Sequence, residues 1–111
     1  MKDNYLIIFV TAKDKTEAEQ VSQSLLKDKI IACANLVSPI TSFFNWGGKI
    51  DKAEECLIIM KSRADLFDQI VRQVNSIHSY EVPEILAFPI VEGSKSYLEW
   101  MEAVLKPKSN S

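Results

Sequence analysis

The stretch Ile31–Trp46 (IACANLVSPITSFFNW), Gly47-Gly48 and Lys49–Ser62 (KIDKAEECLIIMKS) decides the fold. Both flanking runs read as strands, and the Gly-Gly pair between them is a hairpin turn signal. Each arm is about 13–16 residues, or roughly 45–55 Å at strand rise, against a mean strand of about 5–6 residues. Pro39 cannot donate to a ladder, so its strand must be bent, bulged or at an edge there. The far end of the hairpin carries Phe43, Phe44 and Trp46. A small two-layer domain cannot cover arms of this length. An aromatic tip with unpaired edges predicts self-association, with Phe43, Phe44 and Trp46 at the interface, the alternative being a hairpin folded back over its own core.

Before the hairpin, Asn4–Thr11 (NYLIIFVT) is almost continuously apolar, as expected of a strand lying centrally or covered on both faces. Ala18, Val21 and Leu25 then recur at helical spacing over about Lys15–Lys27, with Asp14 or a Thr16-x-x-Glu19 box as the cap. After the hairpin, Leu66, Ile70, Val74 and Ile77 form one helical stripe, which Asp65 or Ser62 can cap. The segment His78–Glu84 is a loop, Ile85–Val91 a strand weakened by Pro89, and Ser94 or Ser96 opens a third helix. The order β, α, β-hairpin, α, β, α is that of an α+β, ferredoxin-like split βαβ sandwich with an extra C-terminal helix. One domain spans residues 1–111, with 106–111 expected to fray.

The hairpin also bears on Cys33 and Cys56. If opposed residues sum to about 95, Cys56 faces Pro39 and Cys33 lies near Ser62. The thiols are then on the order of 20 Å apart. A disulfide needs Cα atoms within about 7 Å, so both are expected to be free.

The formal net charge is −2 with the basic residues scattered, which argues against a nucleic-acid partner. No apolar run approaches the ~20 residues of a membrane span, so membrane insertion is not expected. A cytoplasmic location is the expectation.

Four motifs carry a family likeness. Ala32-Cys33-Ala34-Asn35-Leu36, Trp46-Gly47-Gly48-Lys49-Ile50, Tyr80-Glu81-Val82-Pro83-Glu84-Ile85 and Tyr97-Leu98-Glu99-Trp100 resemble the CutA family signatures, in the family's order. The likeness runs from about residue 5 to 105. It implies a homotrimer joined through the long strands, an association with divalent-cation tolerance and, in some members, copper binding. The family's shape resembles the nitrogen-signalling PII proteins, which suggests a small anionic ligand as the alternative. The chain departs from the pattern at Ser79, where members usually carry proline. Some members discussed as copper binders carry a cysteine and a second histidine at the positions of Val10 and Ile77.

The metal-ligand set offered by the sequence is His78, Cys33 and Glu84, for copper or another divalent cation. The plainer reading of His78 is a group satisfying the end of the second helix, and of Cys33 a small buried residue. Tyr80, Lys61 and Trp100 are the candidates for a ligand cleft between subunits. No glycine-rich phosphate cradle follows the first strand and no Gly-x-Ser-x-Gly occurs, so a non-catalytic protein is expected.

Overall fold

The computed structural model describes residues 4–108. Four strands and three helices follow in order: β1 (Tyr5–Ala12), α1 (Lys15–Lys27), β2 (Cys33–Trp46), β3 (Lys49–Arg63), α2 (Phe67–Ile77), β4 (Ile85–Pro89) and α3 (Lys95–Val104). The sheet order is β2-β3-β1-β4 and every neighbouring pair is antiparallel. This is the split βαβ sandwich expected from the order of elements.

The central strand β1 contributes to both faces of the sheet. On one face Ile8, Val10, Ala12, Cys56, Ile58 and Met60 are completely buried, in one cluster with Ala18, Val21 and Leu25 of α1 and Ile70 and Val74 of α2. Burying each of the larger side chains contributes roughly 1.5–3 kcal/mol. The opposite face is also apolar, but nothing among the described residues covers it fully. Ile7, Phe9, Leu57 and Ile59 are only partly buried there. Val37, Leu86 and Phe88 are exposed, with Phe88 edge-on to Phe9 at 5.0 Å.

The hairpin is as long as its sequence predicts. β1 pairs only with the 56–63 portion of β3, so residues 40–46 and 49–55 continue as a two-stranded ribbon with bare outer edges. The molecule is 46 Å in its longest dimension against 27 and 24 Å in the others. The turn puts Gly47 and Gly48 at φ of 58° and 77°, a conformation that glycine adopts without strain.

Pro39 lies on an edge strand at an irregularity, as its missing N–H requires. Between the pairs Val37↔Leu57 and Ile40↔Glu55, Ser38 and Pro39 stand against Cys56 alone, and the Ser38–Pro39 peptide is cis. This bulge corrects the sequence-based register. Opposed residues sum to 95 only in the outer ribbon. Inside the bulge the sum is 94, and Cys33 faces Lys61 rather than lying beside Ser62.

Other boundaries also differ from expectation. Neither Asp65 nor Ser62 caps α2. Asp65 binds Arg63, Ser62 donates to the Ile30 carbonyl, and α2 starts from a single 3-10 turn at Ala64–Leu66. Ile77, expected on the buried stripe, is exposed. β4 stops at Pro89 rather than Val91. Lys106, expected to fray, is tied down. Its N–H donates to the Lys29 carbonyl, its carbonyl accepts from Arg63, and its ammonium reaches Gln69 Oε1 at 3.0 Å. The rest of the expected tail beyond residue 108 lies outside the described residues.

Candidate functional site

The loop after α2 is clamped to the loop after β1. Asp14 caps α1 by accepting from the Glu17 N–H at 2.8 Å. Glu17, three residues on, turns its carboxylate back and accepts from the N–H groups of Lys13 (3.1 Å) and Ser79 (3.0 Å). Burial acts to raise the Glu17 pKa. The hydrogen bonds from Ser79 and Lys13 outweigh it and hold the carboxyl below its ordinary value.

The His78 side chain is fully buried in this junction, and both ring nitrogens are engaged. Nε2 is 2.7 Å from the Thr11 carbonyl oxygen and Nδ1 accepts from the Tyr80 N–H at 3.0 Å. A carbonyl only accepts and an N–H only donates, so the ring carries its proton on Nε2. Neither nitrogen is left for a metal.

The Tyr80 hydroxyl donates to Glu55 Oε2 at 2.7 Å. Burial, and then that carboxylate, push the Tyr80 phenol well above its ordinary pKa. Glu55 also lines a cleft of about 190 Å³ with Lys13, Asp14, Lys15, Ser38, Pro39 and Glu54. Cys56 is completely buried, and burial pushes its thiol up.

A second group lies at the other end of the sheet, where β2 begins. Cys33 and Lys61 are cross-strand partners, with Nζ 3.8 Å from Sγ. The same ammonium donates to Asn35 Oδ1, and Cys33 Sγ lies 3.7 Å from that oxygen. Tyr97 of α3 sits against Cys33, and its phenol is pushed up, first by burial and then by the thiol. Trp100 packs on Tyr97 with ring centroids 5.4 Å apart.

The structure therefore divides the residues singled out in the sequence. Cys33 pairs with Lys61, and Trp100 joins them through Tyr97. His78 and Tyr80 lie elsewhere. On β1, the position beside Cys33 and Lys61 is Ile7, and the position bonded by His78 is Thr11. These are four residues apart, about 13 Å along the strand. Glu84 is exposed in the loop before β4. The set His78, Cys33 and Glu84 is thus not brought together within one chain. Among the described residues no cluster of three or more His, Cys, Asp or Glu is placed to hold a metal ion. Phe43 and Trp46 at the hairpin tip are 69% and 74% exposed, and Phe44 is 38% exposed.

Two residues take structural roles that the sequence did not assign to them. Glu17 carried a usable signal, because Asp14-x-x-Glu17 is itself a capping-box pattern. Arg63 carried none. It is 1% exposed, yet its guanidinium binds Asp65, Glu102 and the Lys106 carbonyl. Tyr5 joins the group by donating to Glu102 at 3.0 Å.

Comparison with known proteins follows this geometry. The family described as "CutA1 divalent ion tolerance protein" matches residues 6–104. The divalent-cation tolerance protein CutA of Archaeoglobus fulgidus is 40% identical over 89% of this chain and 96% of its own length. The chloroplastic protein CutA of Arabidopsis thaliana is 36% identical over 87% of this chain. The chain covers only 53% of that relative and 58% of the mouse protein CutA. Among solved structures, CutA1 from Oryza sativa superposes with a TM-score of 0.93 at 33% identity, covering 96% of this chain and 97% of its own. The Archaeoglobus CutA structure, described as periplasmic, has a TM-score of 0.89 at 39% identity, covering 92% and 99%. No described helix is long and apolar enough to cross a membrane.

Proposed function

The chain belongs to the CutA1 divalent ion tolerance family, and we propose that it acts as a cytosolic homotrimer in the response to divalent cations, with copper or another divalent cation held between subunits. One observation carries this reading. The sheet has a second apolar face, continuous with a bare two-stranded ribbon tipped by Phe43, Phe44 and Trp46, and the described residues do not cover either. Copies of the same chain supply the cover. The number three follows from the family resemblance.

The cation reading requires more than one subunit. Within a chain the residues do not fit a metal, since His78 is spent on Thr11 and Tyr80. Cys33 and Glu84 retain donor atoms on partly or fully exposed side chains, and we assign them as the ligands that neighbouring subunits complete. Two free cysteines suit a reducing compartment such as the cytosol. The reading is non-catalytic. Cys33 and His78, the only thiol and imidazole outside the buried Cys56, stand at opposite ends of the sheet and cannot act as nucleophile and base.

The test is a thermal shift series with copper, zinc, cadmium and magnesium salts on the wild type and on Cys33→Ser and Glu84→Gln. Binding to the native form raises stability by mass action. The reading expects a shift with a thiophilic cation, reduced in both variants. Flat responses to all four cations would end the cation reading.

A small anionic ligand is a second reading, supported by Lys61. Its ammonium meets an amide oxygen and a thiol and, among the described residues, no carboxylate, beside half-exposed Tyr97 and Trp100. Organic acids and nucleotides in the same thermal series test it. Stabilisation that disappears in Lys61→Met supports this reading, and no stabilisation by any of them removes it.

A further inference from the structure

Cys33 and Lys61 bring a thiol and an amine into reach of one another. They are paired directly across β2 and β3, which fixes their backbones side by side. The 3.8 Å between Sγ and Nζ is closed by torsions of the lysine stem alone. Of the two cysteines, Cys56 is completely buried, whereas Cys33 is partly open to solvent. Oxidised Cys33 has no thiol partner in its own chain, because Cys56 lies five positions before Lys61 on β3. Its other close neighbours, the Asn35 amide oxygen and the un-ionised Tyr97 phenol, are poor nucleophiles. The lysine amine is the nucleophile that remains.

We propose that Cys33 and Lys61 form a reversible redox crosslink, a sulfenamide between Sγ and Nζ, when a hydroperoxide oxidises the thiol. In the first step the sulfur attacks the peroxide O–O bond. An S–O bond forms, the O–O bond breaks, and the second oxygen leaves as water, giving the sulfenic acid. The peroxide gains two electrons and the sulfur loses them. In the second step the lone pair of unprotonated Nζ attacks the sulfur. The S–N bond forms, the S–O bond breaks, and the departing hydroxide takes a proton from nitrogen to leave as water. The sum consumes one peroxide and removes one hydrogen each from thiol and amine. A thiol reductant reverses it by exchange at sulfur. The crosslink needs only residues of one chain, but it uses the thiol that the cation reading assigns as a ligand, so cation binding and crosslinking compete for Cys33 and the metal-free protein tests the crosslink alone.

The experiment treats the full chain with one equivalent of hydrogen peroxide in mildly alkaline buffer and follows intact mass. The expected product is lighter by two hydrogens, about 2 Da, where oxygen addition would make it heavier by about 16 Da. Trypsin is expected to stop cutting after Lys61 and to yield peptide 30–49 joined to peptide 53–63, with dithiothreitol restoring both mass and cleavage. Cys33→Ser and Lys61→Arg are expected to abolish the product, and Cys56→Ser to retain it. The wild-type digest decides even if a variant misfolds. Stable oxygen adducts on Cys33 with Lys61 still cleaved, disulfide-linked dimers, or an unreactive Cys33 would each overturn the crosslink.

Discussion

His78 Nε2 meets the Thr11 carbonyl oxygen at 2.7 Å and so ties the end of α2 to the end of β1. Its other nitrogen takes the Tyr80 N–H, which lets one buried ring organise the whole 78–84 loop. Replacing His78 with Ala leaves a buried carbonyl and a buried N–H without partners. Each costs about 1–3 kcal/mol. We predict a loss of about 2–4 kcal/mol in urea unfolding at fixed protein concentration, with thiophilic-cation binding unchanged. Unchanged stability, or loss of cation binding in a variant that remains folded, would contradict the assignment of His78 as structural.

Glu17 gives the fold an acid limit. Its folded pKa is lowered, as is that of Asp65, where the hydrogen bond from Arg63 outweighs burial. A carboxyl with a depressed folded pKa contributes stability above its unfolded pKa, about 4. It loses that contribution as pH falls through the folded value. Stability is therefore predicted to hold at neutral pH and to fall below about pH 4. Glu17→Gln should be less stable at pH 7 and show a flatter acid limb in unfolding measured against pH. An acid limb identical to the wild type would contradict it.

Tyr80 sets the opposite limit. A group whose folded pKa is raised contributes stability below its unfolded pKa, about 10 for a tyrosine, and loses it as pH rises above that value. Tyr80→Phe should lower stability at neutral pH, because Glu55 loses its donor. It should also weaken the alkaline destabilisation seen in the wild type. Parallel curves for the two proteins above pH 10 would count against the Tyr80–Glu55 contact.

Arg63 latches α3. Its guanidinium is buried while Asp65 and Glu102 remain about 40% exposed, so the loss on truncation falls short of a fully buried pair. Arg63→Ala is predicted to cost about 2–3 kcal/mol. Amide exchange should accelerate across Lys95–Val104 before it does in β1. Uniform exchange changes over the whole chain would argue against a local latch.

Trp46 and Phe43 are predicted to serve assembly rather than the single subunit. Both lie far out on the ribbon and are largely exposed within one chain. Trp46→Ala and Phe43→Ala should lower the oligomeric mass in sedimentation while leaving far-ultraviolet circular dichroism intact. Intact assemblies with native melting in both variants would remove the tip from the interface.

Much of this architecture was legible because its signals are local. The spacing of Ala18, Val21 and Leu25 and the Asp14 cap define α1 at Lys15–Lys27, the bounds observed. Gly47-Gly48 and Pro39 locate the turn and the irregular edge strand. What the sequence hid depends on contacts between distant segments. The bulge at Ser38-Pro39 slips the inner register by one residue, and only that slip sets Cys33 opposite Lys61. Asp65 looks like a helix cap until Arg63 is seen to take it. His78 resembles a ligand until Thr11, at the far end of the first strand, and Tyr80, two residues on, occupy both nitrogens. The tip aromatics were visible, but that the second apolar sheet face of Ile7, Phe9, Leu57 and Ile59 lies partly bare was not, since periodicity alone does not tell a covered face from a bare one.

Sedimentation equilibrium on the unmodified protein in dilute solution bears on all of this at once. The proposed assembly through the bare apolar face and ribbon, with its number of subunits taken from the family resemblance, predicts a species of three times the 12.6 kDa chain mass. A stable single chain of 12.6 kDa, with Phe43 and Trp46 still facing water, would contradict it.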